Sequence, residues 1–165
     1  VNCILKEVSL TDGADIYNML REIGPGENGF LNDGNVEFSG FPVFLQNYVN
    51  MSLGINLANN QVAQTLYWLY VDNKPVGYGK LRHHLNDSLR KIGGHIGYAI
   101  RPSERGKGYG KLILKELLLK AKEKDIYKVL MTTTEDNTLS RKVIEGNGGL
   151  LSHISDGECY YCISI

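Results

Sequence analysis

His95-Ile96-Gly97-Tyr98-Ala99-Ile100-Arg101-Pro102 is followed by Arg105-Gly106-Lys107-Gly108-Tyr109-Gly110, and then by an amphipathic run reaching Lys124. The apolar segment predicts a strand, the glycines a tight turn, and the run after Gly108 a helix over 108–124. On that helix Leu112, Ile113, Leu117 and Ala121 face inward, while Lys111, Lys115, Lys122 and Glu123 face solvent. A helix N-terminus offers backbone N–H groups without partners, and these make an anion site. Glycines let a phosphate approach that backbone, and Arg105 and Lys107 add positive charge. The stretch therefore predicts a pyrophosphate cradle.

Spacing excludes two common phosphate loops. A Walker A loop counted from Gly106 would need its second glycine at Lys111, with Ser or Thr to follow. A dinucleotide fingerprint beginning Gly106-Lys107-Gly108 would again need glycine at Lys111. What remains, R-x-x-G-x-G, resembles the acetyl-CoA loop of the GNAT superfamily of N-acetyltransferases. The resemblance covers residues 67–165. It includes Asn137-Thr138-Leu139-Ser140, then Val143-Ile144-Glu145 and Gly148-Gly149, similar to the family's N-x-x-[SA] segment leading into a helix and a glycine. Arg82-His83-His84-Leu85-Asn86, Gly93-Gly94-His95-Ile96-Gly97-Tyr98 and Glu27-Asn28-Gly29-Phe30 look like a subgroup known mainly as predicted acetyltransferases.

The chain has 165 residues, and 42% of them are hydrophobic, enough for one domain over 1–165 with a substantial core. Lys+Arg 18 balances Asp+Glu 18, so no global field draws the chain to nucleic acid or a membrane. No apolar run reaches the roughly 18 residues of a membrane span. Val1-Asn2-Cys3-Ile4-Leu5-Lys6 lacks a basic stretch ahead of an apolar region, so no signal peptide is expected. Cys159-Tyr160-Tyr161-Cys162 has C-x-x-C spacing, but in a β-rich segment such residues face opposite sides. Ordinary strand cysteines, no metal site and a cytoplasmic location are the expectation.

Along the chain, 3–8 predicts a strand, and Thr11 or Asp12 caps a helix whose apolar face is Ile16, Met19, Leu20 and Ile23. Residues 27–34 read as an irregular loop, and 41–57 as a second helical region. Strands follow at 65–71 and 75–82 around Asp72-Asn73-Lys74-Pro75. A polar connection spans 84–91, and the strand at 94–100 enters the loop. After the main helix come a strand (127–133), a short helix (137–147), and a closing strand pair (150–154 and 158–165). The order β-α-α-β-β-β-α-β-α-β-β matches the GNAT fold, an α/β architecture with a mixed central sheet and helices on both faces.

The resemblance implies an acetyl-CoA-dependent N-acetyltransferase with a small-molecule or peptide amine as acceptor, monomeric or homodimeric, without nucleic-acid or membrane partners. It implies that Gly106, Lys107, Gly108, Tyr109 and Gly110 hold the pyrophosphate, with Arg105 alongside. It also implies that Tyr98, Ala99 and Ile100 pair with the pantetheine arm, one N–H facing the thioester oxygen. Asn137 matches the asparagine that contacts that arm, though a helix cap explains it as well. Ser140 matches a small residue near the cofactor, or is a solvated helix serine. Where many family members carry a tyrosine, the presumed acid for the leaving thiolate, this chain has Ile144; Ser140 and Tyr98 are substitutes for that role. For the general base, His95 competes with a structural histidine reading, and Glu37 and Glu27 compete with it. Glu27, Asp33 and Glu37 suggest a cationic acceptor, or form a solvated acidic loop. A non-catalytic acetyl-CoA sensor is the alternative reading, favoured by Ile144.

Overall fold

The computed structural model describes residues 2–27, 30–31 and 36–165. Nine strands and five α-helices run in the order β1 (Cys3–Glu7), α1 (Ala14–Ile23), β2 (Gly26–Glu27), β3 (Phe30–Leu31), α2 (Phe41–Ser52), β4 (Gln64–Val71), β5 (Lys74–Arg82), α3 (Asp87–Lys91), β6 (Ile96–Ile100), α4 (Tyr109–Glu123), β7 (Lys128–Thr134), α5 (Thr138–Gly146), β8 (Leu150–Ser155) and β9 (Glu158–Ser164). The strands form a four-stranded sheet β1-β4-β5-β6, a three-stranded sheet β7-β9-β8, and the small pair β2-β3. This is the expected α/β fold. The additions are β2-β3, within the stretch read as irregular, and α3, within the stretch read as a plain connection.

Both faces of the first sheet are buried, each by different helices. Leu69, Leu81, Ile96 and Ile100 pack with Ile113, Leu114 and Leu117 of α4. Leu66, Trp68 and Tyr78 pack with Ile16, Met19, Phe44, Leu45 and Tyr48 of α1 and α2. Strand alternation divides the side chains between the two faces. Gly79 lies on the α4 face, where a Cβ would come within 2.4 Å of Leu117 Cδ1, so glycine is what lets the helix sit this close. The β4–β5 turn carries positive φ at both Asp72 (48°) and Asn73 (65°), as a two-residue hairpin requires.

Three local readings are corrected. Neither Thr11 nor Asp12 caps α1: Gly13 occupies the cap without a side-chain bond. Asp12 Oδ2 instead accepts from the Trp68 indole N–H and the Ser9 N–H, both at 2.7 Å. The second helical region stops at Ser52 rather than 57, because Gly54 (φ 71°) and Asn56 (φ 56°) leave helical space. Residues 84–91 contain α3, whose cap Asn86 accepts from the Leu89 N–H at 2.9 Å; five residues are too few to show a helical period.

The two sheets meet at one point. The His95 N–H donates to Leu130 O (2.8 Å), the Leu130 N–H donates back to His95 Nδ1 (2.9 Å), and the Gly93 N–H donates to Thr132 Oγ1 (2.8 Å). Gly94 has φ 61°, and a Cβ there would lie 2.2 Å from Leu130 O. No ladder joins β6 to β7 among the described residues, and a cleft opens between them.

Trp68 is fully buried, and its indole N–H depends on Asp12. Asp12→Ala leaves that donor and the Ser9 N–H unpaired, and should destabilise the fold by about 1–3 kcal/mol. Urea unfolding should show a lower midpoint at unchanged slope.

Candidate active site

β6 ends at Ile100, and a short 3-10 turn, Pro102–Glu104, leads into the glycine loop. Gly106 and Gly108 hold φ of 79° and 83°, and a Cβ at either would touch nothing within 4 Å. The backbone conformation, not crowding, therefore calls for glycine. Gly108 caps α4 without a side-chain bond, and the first helical bond is Leu112 N–H to Gly108 O at 3.2 Å. The N–H groups of residues 109–111 have no acceptor within the helix, which suits that end to an anion.

Side chains brace this loop from beneath. Glu104 is buried and takes Lys107 Nζ at 2.7 Å together with Lys74 Nζ. Lys107, then Lys74, holds the Glu104 carboxyl below the usual range, and Glu104 in turn raises Lys107. Arg105 Nε donates to Ile100 O at 3.0 Å. Ahead of the loop, Arg101 pairs with Glu22 of α1 at 3.0 Å, and the Ser103 N–H donates to the same carboxylate at 2.9 Å. Burial would raise Glu22, but the Ser103 N–H and Arg101 outweigh it and bring the carboxyl down to about 2.

The cleft is a cavity of about 910 Å³ walled by β6, β7 and the first turns of α4 and α5. Tyr98, Ala99, Ile100, Arg105, Gly106, Gly108, Tyr109, Gly110, Asn137 and Ser140 all line it, so residues far apart in sequence come together as expected. Asn137 caps α5, its Oδ1 accepting from the Ser140 N–H at 3.2 Å, while it also contributes to the wall. The Tyr98 hydroxyl is hydrogen-bonded to Ser140; burial raises the phenol, and Ser140 offsets part of that. Ile144 is fully buried behind the wall, and a Cβ at Gly149 would meet its Cγ2 at 2.4 Å.

The other candidates stand apart. Lys107 is not part of the wall; its ammonium is turned to Glu104. His95 does not line the cavity, and its Nδ1 accepts from Leu130, which leaves the proton of the neutral ring on Nε2. Burial, then Arg82 and Arg90, lowers its pKa. Glu37 is exposed, precedes the 3-10 turn Phe38–Gly40, and does not line the cavity. The side chain of Glu27 and all of Asp33 lie outside the described residues.

The cavity continues through the gap between the sheets to the α1/α2 side. There Lys80 and Arg82, two residues apart on β5 and on the face of Tyr78, line it with Gln64 of β4. Sequence reasoning passed over these residues. The signal was Lys80 and Arg82 in alternation on a strand whose neighbours are apolar.

No helix among the described residues is long and apolar enough to cross a membrane. Residues 37–148 match the Acetyltransferase (GNAT) family model. No curated protein matches the chain at a significant level. Several solved structures share its fold. The Salmonella typhimurium acetyl transferase that modifies the N-terminal serine of ribosomal protein L7/L12 is 16% identical (TM-score 0.69, 100% of this chain and 96% of that one). Campylobacter jejuni N-acetyltransferase PseH, in complex with acetyl coenzyme A, is 11% identical (TM-score 0.68, 99% of each chain). The putative acetyltransferase yncA from Salmonella typhimurium, with its cofactor acetyl-CoA, is 14% identical (TM-score 0.64, 98% and 93%). With the family model spanning the loop, the cleft and the helix behind Asn137, this chain belongs to the GNAT family of acetyltransferases and uses acetyl-CoA as its cosubstrate.

Proposed function

We propose that this chain is a single-domain cytoplasmic N-acetyltransferase in which an amine attacks the thioester of acetyl-CoA directly. The observation that carries this reading is the cleft itself. One cavity runs from the unpaired N–H groups of α4, past the edge of β6, to a polar chamber on the opposite face of the sheet. Such a passage suits a cofactor entering from one side and an acceptor from the other. The loop backbone from Gly106 to Gly110 would hold the pyrophosphate, and Tyr98, Ala99 and Ile100 the pantetheine arm. Asn137 would contact the arm through its amide N–H₂, since its Oδ1 is taken as the cap.

In the reaction the amine nitrogen bonds to the thioester carbon, the C–S bond breaks, and the CoA sulfur leaves as thiolate. The amine loses one proton, and the thiolate takes one up. Tyr98, held by Ser140 in the cleft wall, is the hydroxyl placed to supply the second proton in the absence of a tyrosine at Ile144. A non-catalytic sensor would have no use for a hydroxyl pair so placed. We assign no base role to His95 or Glu37.

Thiol release across a panel of amines, with acetyl-CoA binding by calorimetry on the same sample, tests the transferase. Binding together with amine-dependent release is expected; binding with no release from any amine would favour the sensor. Tyr98→Phe should lower kcat about tenfold or more at unchanged acetyl-CoA affinity. An unaffected kcat would remove Tyr98 from proton transfer.

His95 calls for a different test. Its ring is held neutral in the fold, so its contribution to stability is complete above the ordinary histidine value of about 6.5. That contribution is lost as pH falls through the depressed folded value. His95→Asn keeps an acceptor for the Leu130 N–H but cannot titrate. Urea midpoints compared between pH 7.5 and 5 should fall less for this variant than for the native chain, with a residual drop from His83, also held low by burial. Its turnover should stay within about threefold of native, as expected of a group with no part in proton transfer.

A further inference from the structure

Arg82 sits at the end of β5, half-buried in the wall of the chamber. A guanidinium carries five N–H donors. Its bonds among the described residues all come from Nη1, to Gly93 O at 3.2 Å and Gly94 O at 3.4 Å. No carboxylate pairs with it among those residues. Taking a guanidinium out of water without a counter-ion is costly, and two carbonyl dipoles offset only part of that cost. Tying down the Gly93–Gly94 turn uses one nitrogen of the fork and leaves Nε and Nη2 for something else.

The neighbours fit that something else to an anion. Gln64 is directly opposite Arg82 in the β4–β5 ladder. Its Oε1 is buried without a hydrogen-bond partner, while its Nε2 donates to Met51 Sδ at 3.4 Å. Lys80, on the same face, stands with Nζ 5.5 Å from the centre of the Tyr48 ring. The described cavity wall contains two carboxylates. Glu104 is bound by two lysines, and Glu158 pairs with Thr134, at the opposite end of β7 from the Leu130 junction. The chamber around Arg82 is therefore cationic, with one unpaired amide oxygen beside the cation.

We infer that the acceptor is a small amine carrying a carboxylate, which the free edge of the Arg82 guanidinium binds while Gln64 Oε1 accepts an N–H or O–H of the same molecule. The inference rests on the transferase reading, because the amine end of that molecule is what meets the thioester. A planar fork matches a carboxylate bidentately, which a lysine does not. The acidic residues 27, 33 and 37 suggested the opposite charge for the acceptor. Of these, Glu37 is exposed outside the chamber.

The test uses α-, β- and γ-amino acids, each beside its amide and its phosphonate analogue. Thiol release is read with native protein, Arg82→Gln and Arg82→Lys, and acetyl-CoA affinity is read by calorimetry for each. The acids should exceed their amides at least tenfold in kcat/KM. Arg82→Gln should reduce that ratio below about twofold without changing acetyl-CoA affinity, and Arg82→Lys should fall between. Parity of acid and amide in the native protein would overturn the inference, and needs no variant to fold. So would a preference that survives in Arg82→Gln. Phosphonates favoured tenfold over the acids would overturn the carboxylate assignment. Thermal shifts of the CoA-loaded protein separate this inference from the reading beneath it. If no amine is acetylated but acids, and not amides, raise the Tm of the native protein and not of Arg82→Gln, the anion site stands and the transferase falls. Equal shifts for acid and amide would end both.

Discussion

Everything at the cleft depends on how the two sheets are joined. At Leu130 both backbone groups are bound by His95, one through its amide and one through its ring. Gly94 makes room for that approach, since any side chain would strike Leu130 O. A joint closed at one point and open beyond it leaves the edge of β6 without a neighbouring strand. Unpaired strand edges attract other strands. Here the edge is enclosed by α4, α5 and β7, so it is reachable by an extended molecule in the cleft and hidden from another protein chain. The pin also explains why His95, on the strand that leads into the loop, is a structural residue: its acceptor nitrogen is what keeps β7 in place.

At the glycine loop, side chains and backbone divide the work. Lys107 and Lys74 converge on buried Glu104, and Arg101 and Ser103 converge on Glu22, so two carboxylates anchor the loop to β5 and α1. The cations near the loop are in this way partly spent on structure. The binding surface is left to N–H groups fixed by two left-handed glycines. Preorganised dipoles of this kind need little rearrangement when an anion arrives. A loop relying on free lysines would lose side-chain entropy on binding.

The fold was largely legible because its strongest signals are periodic. Long alternating strands, the α4 stripe and the Asp72-Asn73 turn all report local geometry. So did the two glycine-bearing blocks that mark the cleft, since positive φ and helix capping are written in residue type. Less legible were features decided by partners distant in sequence. Asp12 looked like a cap, but a tryptophan 56 residues away claims its carboxylate. Lys107 looked like a phosphate ligand until Glu104 appeared beneath it. His95 could not be oriented from sequence, because its direction follows from the Gly93–Gly94 turn and from contact with β7. The five-residue helix α3 is shorter than any window in which a period shows.

Arg82 illustrates a further limit. In sequence it is one basic residue at the end of a strand, beside two histidines and indistinguishable from a solvated terminus. Only the sheet shows that it lies opposite Gln64, on the face of Tyr78 and away from α4, where the cavity emerges after crossing the gap. The cofactor half of this cleft is made of backbone, so any sequence that keeps the glycines and the strand edge can build it. The acceptor half is made of side chains on β4 and β5, where substitution leaves the hydrogen-bonded ladder intact. A scaffold arranged this way can change its acceptor without disturbing the machinery for its cosubstrate. The residues that carry specificity here are for that reason Gln64, Lys80 and Arg82, and not the loop by which the family is recognised.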